Sequence, residues 1–363
     1  MIDRRLFTHF DWFTFSLTAA LTAIGLASVY SATHAQMPAI YKKEVYWIII
    51  GLAGLAAAVT INYLLLERLA YALWGGAVIL LVSVLFIGKT TAGARRWLNL
   101  GLFSLQPSEL AKLALIIALA KYFTSRPVPS KGLALKDLAL PAVFLLVPFL
   151  LVVKQPDLGT AIILWLIFWT MTLMVRVRTR TLVGIVAVFM ALTPIAWKML
   201  KGYQKARLMS FLDPAKDPLG TGYHVMQSKI AIGSGGIFGK GFTNGTQGNL
   251  MFLPEHHTDF IFAVYAEEWG LAGSMVLLSL FLILILNGFN AANDAKDRFG
   301  FLVAFGMTTM LFWHVAINLG MVSGMLPVVG VPLPFISYGG SFLVTAMIAA
   351  GLIINIKMRG FMF

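Results

Sequence analysis

Residues 255–270, EHHTDFIFAVYAEEWG, place three carboxylates, Asp259, Glu267 and Glu268, at the start of a stretch that is otherwise apolar enough to span a membrane. A carboxylate at mid-membrane costs roughly 2.5–3.5 kcal/mol on insertion scales, so such acids mark function unless something pairs them. Asp259 follows His256, His257 and Thr258 at a helix start. There it suits three roles: offsetting the helix macrodipole, acting as a general base at a membrane–water boundary, or ligating a metal ion. Glu267 and Glu268 come eight and nine residues later. At about 100° per residue they fall roughly 80° from Asp259 and roughly opposite it, so the three cannot share one helix face. At least one glutamate is expected to pair with a buried cation or with polar backbone.

A second constellation is QPSELAKLAL, residues 106–115, which sets Glu109 and Lys112 three residues apart. That spacing permits a local ion pair; the alternative is a fixed cation facing a cavity and suited to a phosphate. GARRWLNLG, residues 93–101, adds Arg95, Arg96 and Trp97. A tryptophan there suits the membrane interface, and a guanidinium matches phosphate oxygens two at a time. Asp157 sits in the short link KQPDLG. The glycine-rich IGSGGIFGKG, residues 232–241, invites comparison with a phosphate-binding loop but fails it: Ser234 stands where the first glycine belongs, and Gly241 replaces the magnesium-binding hydroxyl. Tight turns are the expected role. The six histidines show no zinc spacing, which leaves carboxylates with water as the one route to a hard divalent cation. MLPVVGVPLPFISYGGS, residues 325–341, is too apolar for an exposed loop and is expected to re-enter the bundle.

The elements that must position these residues follow from composition. The chain has 363 residues, 59% hydrophobic and 12% charged, against about 25% charged in soluble domains. It is therefore read as an all-α polytopic integral membrane protein forming a single domain over residues 1–363. Cysteine is absent, which excludes disulfide and thiol chemistry. The net charge of +13 sits in short loops between apolar runs and does not indicate nucleic acid. About ten transmembrane helices are expected, at 12–30, 45–61, 69–87, 108–123, 138–153, 158–175, 182–199, 260–286, 299–323 and 333–356. The first is too long for a signal-peptide core and is kept as an uncleaved helix.

Charge bias orients the bundle. With the N-terminus in the cytoplasm, thirteen lysines and arginines fall in cytoplasmic segments, from Arg4 and Arg5 to Lys357 and Arg359. Six fall in short outer loops: Lys42, Lys43, Lys89, Arg95, Arg96 and Lys154. Both termini are then cytoplasmic, and the large loop at about 200–259, between the seventh and eighth helices, is extracytoplasmic. Glu109, Lys112, Asp157 and Asp259 gather in the outer half of the bilayer, with Glu268 about 13 Å deeper than Asp259.

These motifs, in this order, resemble the SEDS (shape, elongation, division, sporulation) family over essentially the whole chain. Carrying the resemblance are GARRWLNLG, QPSELAK, QPDLGTA, DPLGTGYHVMQSKIAIGSGGIFGKG, LPEHHTDFIFAVYAEEWG and NLGMVSGMLPVVGVPLPFISYGGS. The 217–241 loop together with LPEHHTDFIFA is closer to the elongation branch than to the division branch. The resemblance implies a peptidoglycan glycosyltransferase in the cytoplasmic (inner) membrane that polymerises lipid II into β-1,4 glycan strands at its outer face. It implies that Asp259 is the essential aspartate, as general base or metal ligand, and that a divalent cation, Mg or Mn, takes part. It assigns Lys112, Glu109, Arg96, Trp97, Asp157 and Arg207 to the substrate. Lys112, Arg96 and Arg207 are the candidates to stabilise the departing undecaprenyl diphosphate. The implied partners are the growing strand, the elongation machinery and a class B penicillin-binding protein, since no SxxK and KTG transpeptidase set is present here. The competing classes are a lipid II flippase and a non-enzymatic scaffold. Against transport, no inverted repeat is visible and the charges cluster at one face instead of crossing the membrane.

Overall fold

The computed structural model describes residues 9–34, 37–91, 94–99, 101, 104–126, 129, 131–199, 202–212, 220–246 and 257–360. The helices are α1 (Trp12–Thr33), α2 (Pro38–Thr60), α3 (Tyr63–Ile87), α4 (Pro107–Ser125), α5 (Ala139–Lys154), α6 (Leu158–Met174), α7 (Thr179–Met199), α8 (Gly202–Leu212), α9 (Thr221–Ser234), α10 (Ile261–Asn293), α11 (Arg298–Val322) and α12 (Gly340–Gly360). All ten apolar segments fall on helices. Seven helices are long and apolar enough to cross a membrane: α1, α2, α3, α5 with its leading 3₁₀ turn, α10, α11 and α12. The chain is a multi-pass membrane protein. α8 and α9 lie within the long loop, most of whose DPAKDPLG and LPEHH motifs falls outside the described residues.

Helix starts follow local chemistry. Asp11, Asn62, Asp157 and Asp297 cap α1, α3, α6 and α11 by accepting from backbone N–H groups of the first turn. Pro38 and Pro107 open α2 and α4, where a missing N–H costs nothing. The interior is built by α4, α11 and α12, each buried along most of its length. α12 packs on α2, α3 on α4, α10 on α11 and α1, and α11 on α4 and α6. α2, α3, α5 and α7 present exposed apolar side chains such as Ile49, Phe86, Leu150 and Val183, the pattern of lipid-facing helices. At the end of the bundle away from Asp259, Lys357 of α12 bridges α1 and α10, with its Nζ 3.0 Å from both Asp11 Oδ2 and Asn287 Oδ1.

Beside the expected helices the chain forms a three-stranded antiparallel sheet. It comprises β1 (Lys89–Thr91), β2 (Ala94–Asn99) and β3 (Ser104–Leu105) in the order β1-β2-β3, with Lys89 opposite Trp97 and Leu98 opposite Leu105. Strands this short leave no periodicity to read.

α10 is broken at Gly270, which adopts φ +65° and ψ −161°. The break frees the carbonyls of Glu267 and Glu268 and the N–H groups of Leu271 and Ala272, which a continuous helix would pair with each other. The glycine-rich loop takes their place. Lys240 N–H donates to Glu267 O and Gly241 N–H to Glu268 O, both at 3.0 Å. Leu271 and Ala272 donate to Gly236 O and Ile237 O at 2.9 and 3.0 Å. All four groups are satisfied by backbone, as a buried break requires. A Cβ at Gly270 would stand 2.6 Å from Ile237 O, so the splice needs glycine for both conformation and space. The loop is thus a structural insert in α10, in keeping with tight turns and not with a phosphate site.

Candidate active site

Asp259 lies in the turn that precedes α10 and is half-buried. It does not cap the helix: the N-cap is Phe260, with no side-chain cap bond. Its position is fixed through backbone. Asn318 of α11 donates its Nδ2 to Asp259 O at 2.8 Å and to Val331 O at 2.7 Å, tying the 257–260 turn to the proline-rich segment. That segment, 323–339, is irregular and re-enters the bundle as expected. Ser337 Oγ donates to Thr258 O at 2.7 Å, and Tyr338 N–H to His257 O at 2.9 Å. Gly330, at φ +76°, lies against the carboxylate, where an added Cβ would stand 3.3 Å from Asp259 Oδ2. Glycine is required there by the backbone angle and by the aspartate's approach.

Next to this turn opens a cleft of about 570 Å³. Its lining includes Lys43, Tyr46 and Trp47 of α2, Lys89 and Trp97 of the sheet, and Thr258, Tyr338 and Gly339. Alternation along β2 sends Trp97 to the cleft and Arg96 to the other face. Arg96 donates Nε to Gln155 O at 3.2 Å and Nη2 to Pro156 O, and its Nη1 lies 3.9 Å from Asp157 Oδ1. Asp157 also caps α6 through Thr160 and accepts from Gln106 Nε2 at 3.1 Å. Arg96 and Asp157 therefore lock the sheet to the α5–α6 turn and to the residue that starts α4. The same region meets the segment that backs Asp259: a Cβ at Gly159 would stand 2.8 Å from the carbonyl oxygens of Val329 and Gly330.

Lys112 is fully buried, with Nζ 2.9 and 2.8 Å from the two oxygens of Glu109 and 2.9 Å from His314 Nε2. Of the two arrangements open to this pair, the local ion pair is the one formed. Because the ammonium can only donate, His314 Nε2 accepts and its ring hydrogen sits on Nδ1. The ammonium also lies 5.2 Å from the centre of the Phe342 ring. His314 and Asn318 stand four residues apart on α11, one helical turn, so one face of that helix links the Lys112 pair to the Asp259 turn. Neither residue belongs to the motifs singled out above, although two polar residues one turn apart in an apolar helix are a signal of function.

Glu267 and Glu268 are closed off. Glu267 accepts from Lys240 Nζ at 2.6 Å and from Thr246 N and Oγ1 at 2.9 and 2.8 Å. Glu268 accepts from Ser31 Oγ of α1. The expectation that at least one pairs with a cation or polar backbone holds for Glu267. Arg207, on α8, lines a separate small cavity and not the cleft. Among the described residues no three acid or histidine side chains gather to hold a metal ion. Asp259 fits a divalent cation only as one ligand beside water and substrate oxygens, the usual manner of magnesium at phosphates.

A family model described as FTSW_RODA_SPOVE, cell cycle protein, matches residues 8–360. The chain belongs to the FtsW/RodA/SpoVE family. Peptidoglycan glycosyltransferase MrdB of Escherichia coli K12 is 42% identical over 350 residues, covering 96% of this chain and 93% of that protein. A solved chain from a peptidoglycan synthase complex, studied for the structural coordination of polymerization and crosslinking, is 33% identical. It covers 98% of this chain and 99% of its own, with a TM-score of 0.84. The crystal structure of the rod shape determining protein RodA of Thermus thermophilus is 30% identical, covers 97% and 98%, and has a TM-score of 0.72. The FtsW/RodA/SpoVE match extends over the sheet, the cleft and the Asp259 turn.

Proposed function

We infer that this chain is a peptidoglycan glycosyltransferase of the elongation type, polymerising lipid II, and that Asp259 carries the chemistry. The observation that carries this is the half-buried Asp259 carboxylate in a turn clamped by Asn318 and Ser337, at the edge of a cleft lined by lysines and tryptophans. Tryptophan faces suit sugar rings and the lysines suit diphosphate oxygens. An apolar groove of about 480 Å³ runs between α2, α3 and α4 past Leu110, Leu113 and Ile117, on the helix that carries Glu109. It suits a polyprenyl tail.

In this reading the 4-hydroxyl of the acceptor's N-acetylglucosamine attacks the anomeric carbon of the donor's N-acetylmuramic acid. The donor's lipid diphosphate leaves. An α-linked diphosphate becomes a β-1,4 bond, so one inverting displacement suffices. Asp259 takes the hydroxyl proton. A magnesium or manganese ion at Asp259 would supply neutralising charge for the diphosphate. Lys112 acts from beneath as a buried positive charge that orders α4 and α11, not as a direct ligand, because Glu109 and His314 already occupy its ammonium. Arg96 and Asp157 hold the sheet, and with it Trp97, over the cleft. The site works at the outer face of the cytoplasmic membrane with both termini inside, as the excess of basic residues on the opposite side supports. A class B penicillin-binding protein crosslinks the strands.

The test is strand synthesis from purified lipid II in detergent with magnesium or manganese, with and without the penicillin-binding partner. Wild type is expected to make strands with no second compartment present. Failure of folded wild type to do so with partner and cation supplied would remove the polymerase reading and favour transport.

A further inference from the structure

α2 and α12 pack along a seam of small and apolar residues with one exception. Glu44, Gly51, Leu55 and Ala58 are buried and follow one another at seven, four and three residues, so they share one face of α2. The two helices approach closely there. A Cβ at Gly51 would stand 2.4 Å from Met347 Sδ, and one at Gly351 would stand 2.7 Å from Leu55 O. At the cleft end Trp47 lies against Gly340, where a Cβ would stand 2.0 Å from its ring. The exception is Glu44, 3% exposed, whose Oε2 has no hydrogen-bond partner among the described residues. A carboxyl shut into a seam in this way costs stability, and an apolar side chain would fill the same place without that cost.

What Glu44 meets is the turn ahead of α12. The backbone N–H of Gly339 donates to its carboxyl. Gly339 stands just before the helix, where N–H groups have no intrahelical acceptor, so the glutamate caps α12 from a neighbouring helix. The two residues before Gly339 grip the Asp259 turn. Tyr338 N–H donates to His257 O at 2.9 Å and Ser337 Oγ to Thr258 O at 2.7 Å. The Tyr338 and His257 rings lie 5.8 Å apart. Residues 337–339 are therefore tied to α2 on one side and to the Asp259 turn on the other. The cleft runs along the same wall, lined by Lys43, Tyr46 and Trp47 on either side of Glu44 and by Tyr338 and Gly339. Glu44 stands behind that wall and not in it.

We propose that Glu44 is a positioning residue for glycosyl transfer: its carboxyl holds residues 337–339 against α2 and through them sets where the Asp259 carboxylate stands. This rests on the polymerase reading. The close seam between α2 and α12 makes α2 a rigid reference for the turn. Without an acceptor at position 44 the turn loses its tie to α2 and keeps its bonds to His257 and Thr258, so the two turns shift together. A base displaced in this way loses alignment with the hydroxyl it must deprotonate. Lys43, Tyr46 and Trp47 keep their places on α2, so substrate contacts in the cleft persist. A glutamate that served packing alone would change stability and leave turnover per folded molecule as it is.

Strand synthesis from lipid II and backbone amide exchange are measured on the full-length chain in detergent, with partner and divalent cation in the synthesis assay. Glu44→Met, close in volume and without a strong acceptor, is expected to lower kcat about tenfold with KM within about twofold of wild type. Glu44→Gln keeps an acceptor for Gly339 and is expected to bring kcat back to within about threefold of wild type. Added to Ser337→Ala, Glu44→Met is expected to cost less than on its own, because both loosen one turn. Amides 337–340 are expected to exchange about tenfold faster in Glu44→Met and at the wild-type rate in Glu44→Gln. If Glu44→Met does not fold, Glu44→Asp, which withdraws the carboxyl by one methylene, carries the same test: a lower kcat at unchanged KM supports the proposal and an unchanged kcat overturns it. Normal kcat in folded Glu44→Met, or a raised KM with kcat unchanged, overturns it while wild type still makes strands. Equal losses in Glu44→Gln and Glu44→Met overturn it too, since charge and not the acceptor would then matter. If wild type makes no strands the polymerase reading falls, and the exchange rates alone then decide whether Glu44 holds the turn.

Discussion

The two acid-bearing stretches around the start of α10 look alike in sequence and differ in three dimensions. Glu267 and Glu268 are shut in by the chain itself, one on Lys240 and Thr246, the other on Ser31, and the loop that shuts them in also splices the break at Gly270. Asp259 is held by its backbone, and its half-buried carboxylate stands against a glycine at the edge of a cleft. A buried charge whose partners come from its own fold is committed to structure. One whose backbone is clamped at the edge of an open cleft is placed for chemistry. The comparison predicts opposite phenotypes, and the sharpest break would come at Asp259. Asp259→Asn keeps shape and neighbours while removing the base, and should lower strand synthesis about 10²–10⁴-fold with thermal stability unchanged. Near-normal synthesis by that variant would falsify its assignment as the reacting group.

The Lys112 pair lies between these extremes. It is wholly buried like Glu267, yet it shares a face of α11 with the Asp259 turn. Lys112→Met leaves Glu109 buried without its cation, a change that ordinarily costs about 3–5 kcal/mol. Neutralising both, Lys112→Met with Glu109→Gln, should recover most of that stability in a thermal melt. Strand synthesis should stay depressed, because the buried positive charge is still missing. Full recovery of synthesis in the double variant would reduce the pair to a structural pin.

Glu267→Ala comes next. Lys240 retains 29% side-chain exposure and rehydrates when its partner is removed, so the loss should be smaller, about 2–3 kcal/mol. The melting temperature should fall while kcat per folded molecule stays close to wild type. A loss of turnover without a loss of stability would place the glutamate on the side of Asp259.

Much of this was legible in the sequence. Ten apolar runs placed ten helices, because hydropathy over about twenty residues is a strong signal. Asp259, Glu109 and Lys112 stood out because charge in hydrocarbon needs a reason. Boundaries failed where charge or polarity misled. α2 begins at Pro38, not at residue 45, because Lys42, Lys43 and Glu44 read as loop while Glu44 is buried in the helix. α10 runs on to Asn293 through NGFNAAN. The last helix starts at Gly340, since 333–339, with Pro334, forms the turn that grips the Asp259 segment. Whether a cation faces a cavity or an acid depends on tertiary contacts. Spacing alone therefore left Lys112 open, and nothing local announced that Arg207 would line a cavity separate from the cleft.

The smallest expected effect tests how closely the Asp259 carboxylate is placed. Gly330→Ala adds one methyl group to a backbone at φ +76°, where a side chain costs about 1 kcal/mol. That methyl would sit 3.3 Å from Asp259 Oδ2, tighter than ordinary contact, so the carboxylate must shift by a few tenths of an ångström. Folding should tolerate this with a fall in melting temperature of a few degrees. A general base displaced within its site loses alignment with the attacking hydroxyl while substrate contacts in the cleft persist. The expected outcome is a drop in kcat of about tenfold with KM nearly unchanged. A rise in KM with kcat unchanged would show that Gly330 shapes the binding of substrate and not the position of the base. It would also move the boundary between the clamped backbone and the reacting side chain one residue further from Asp259 than the geometry places it.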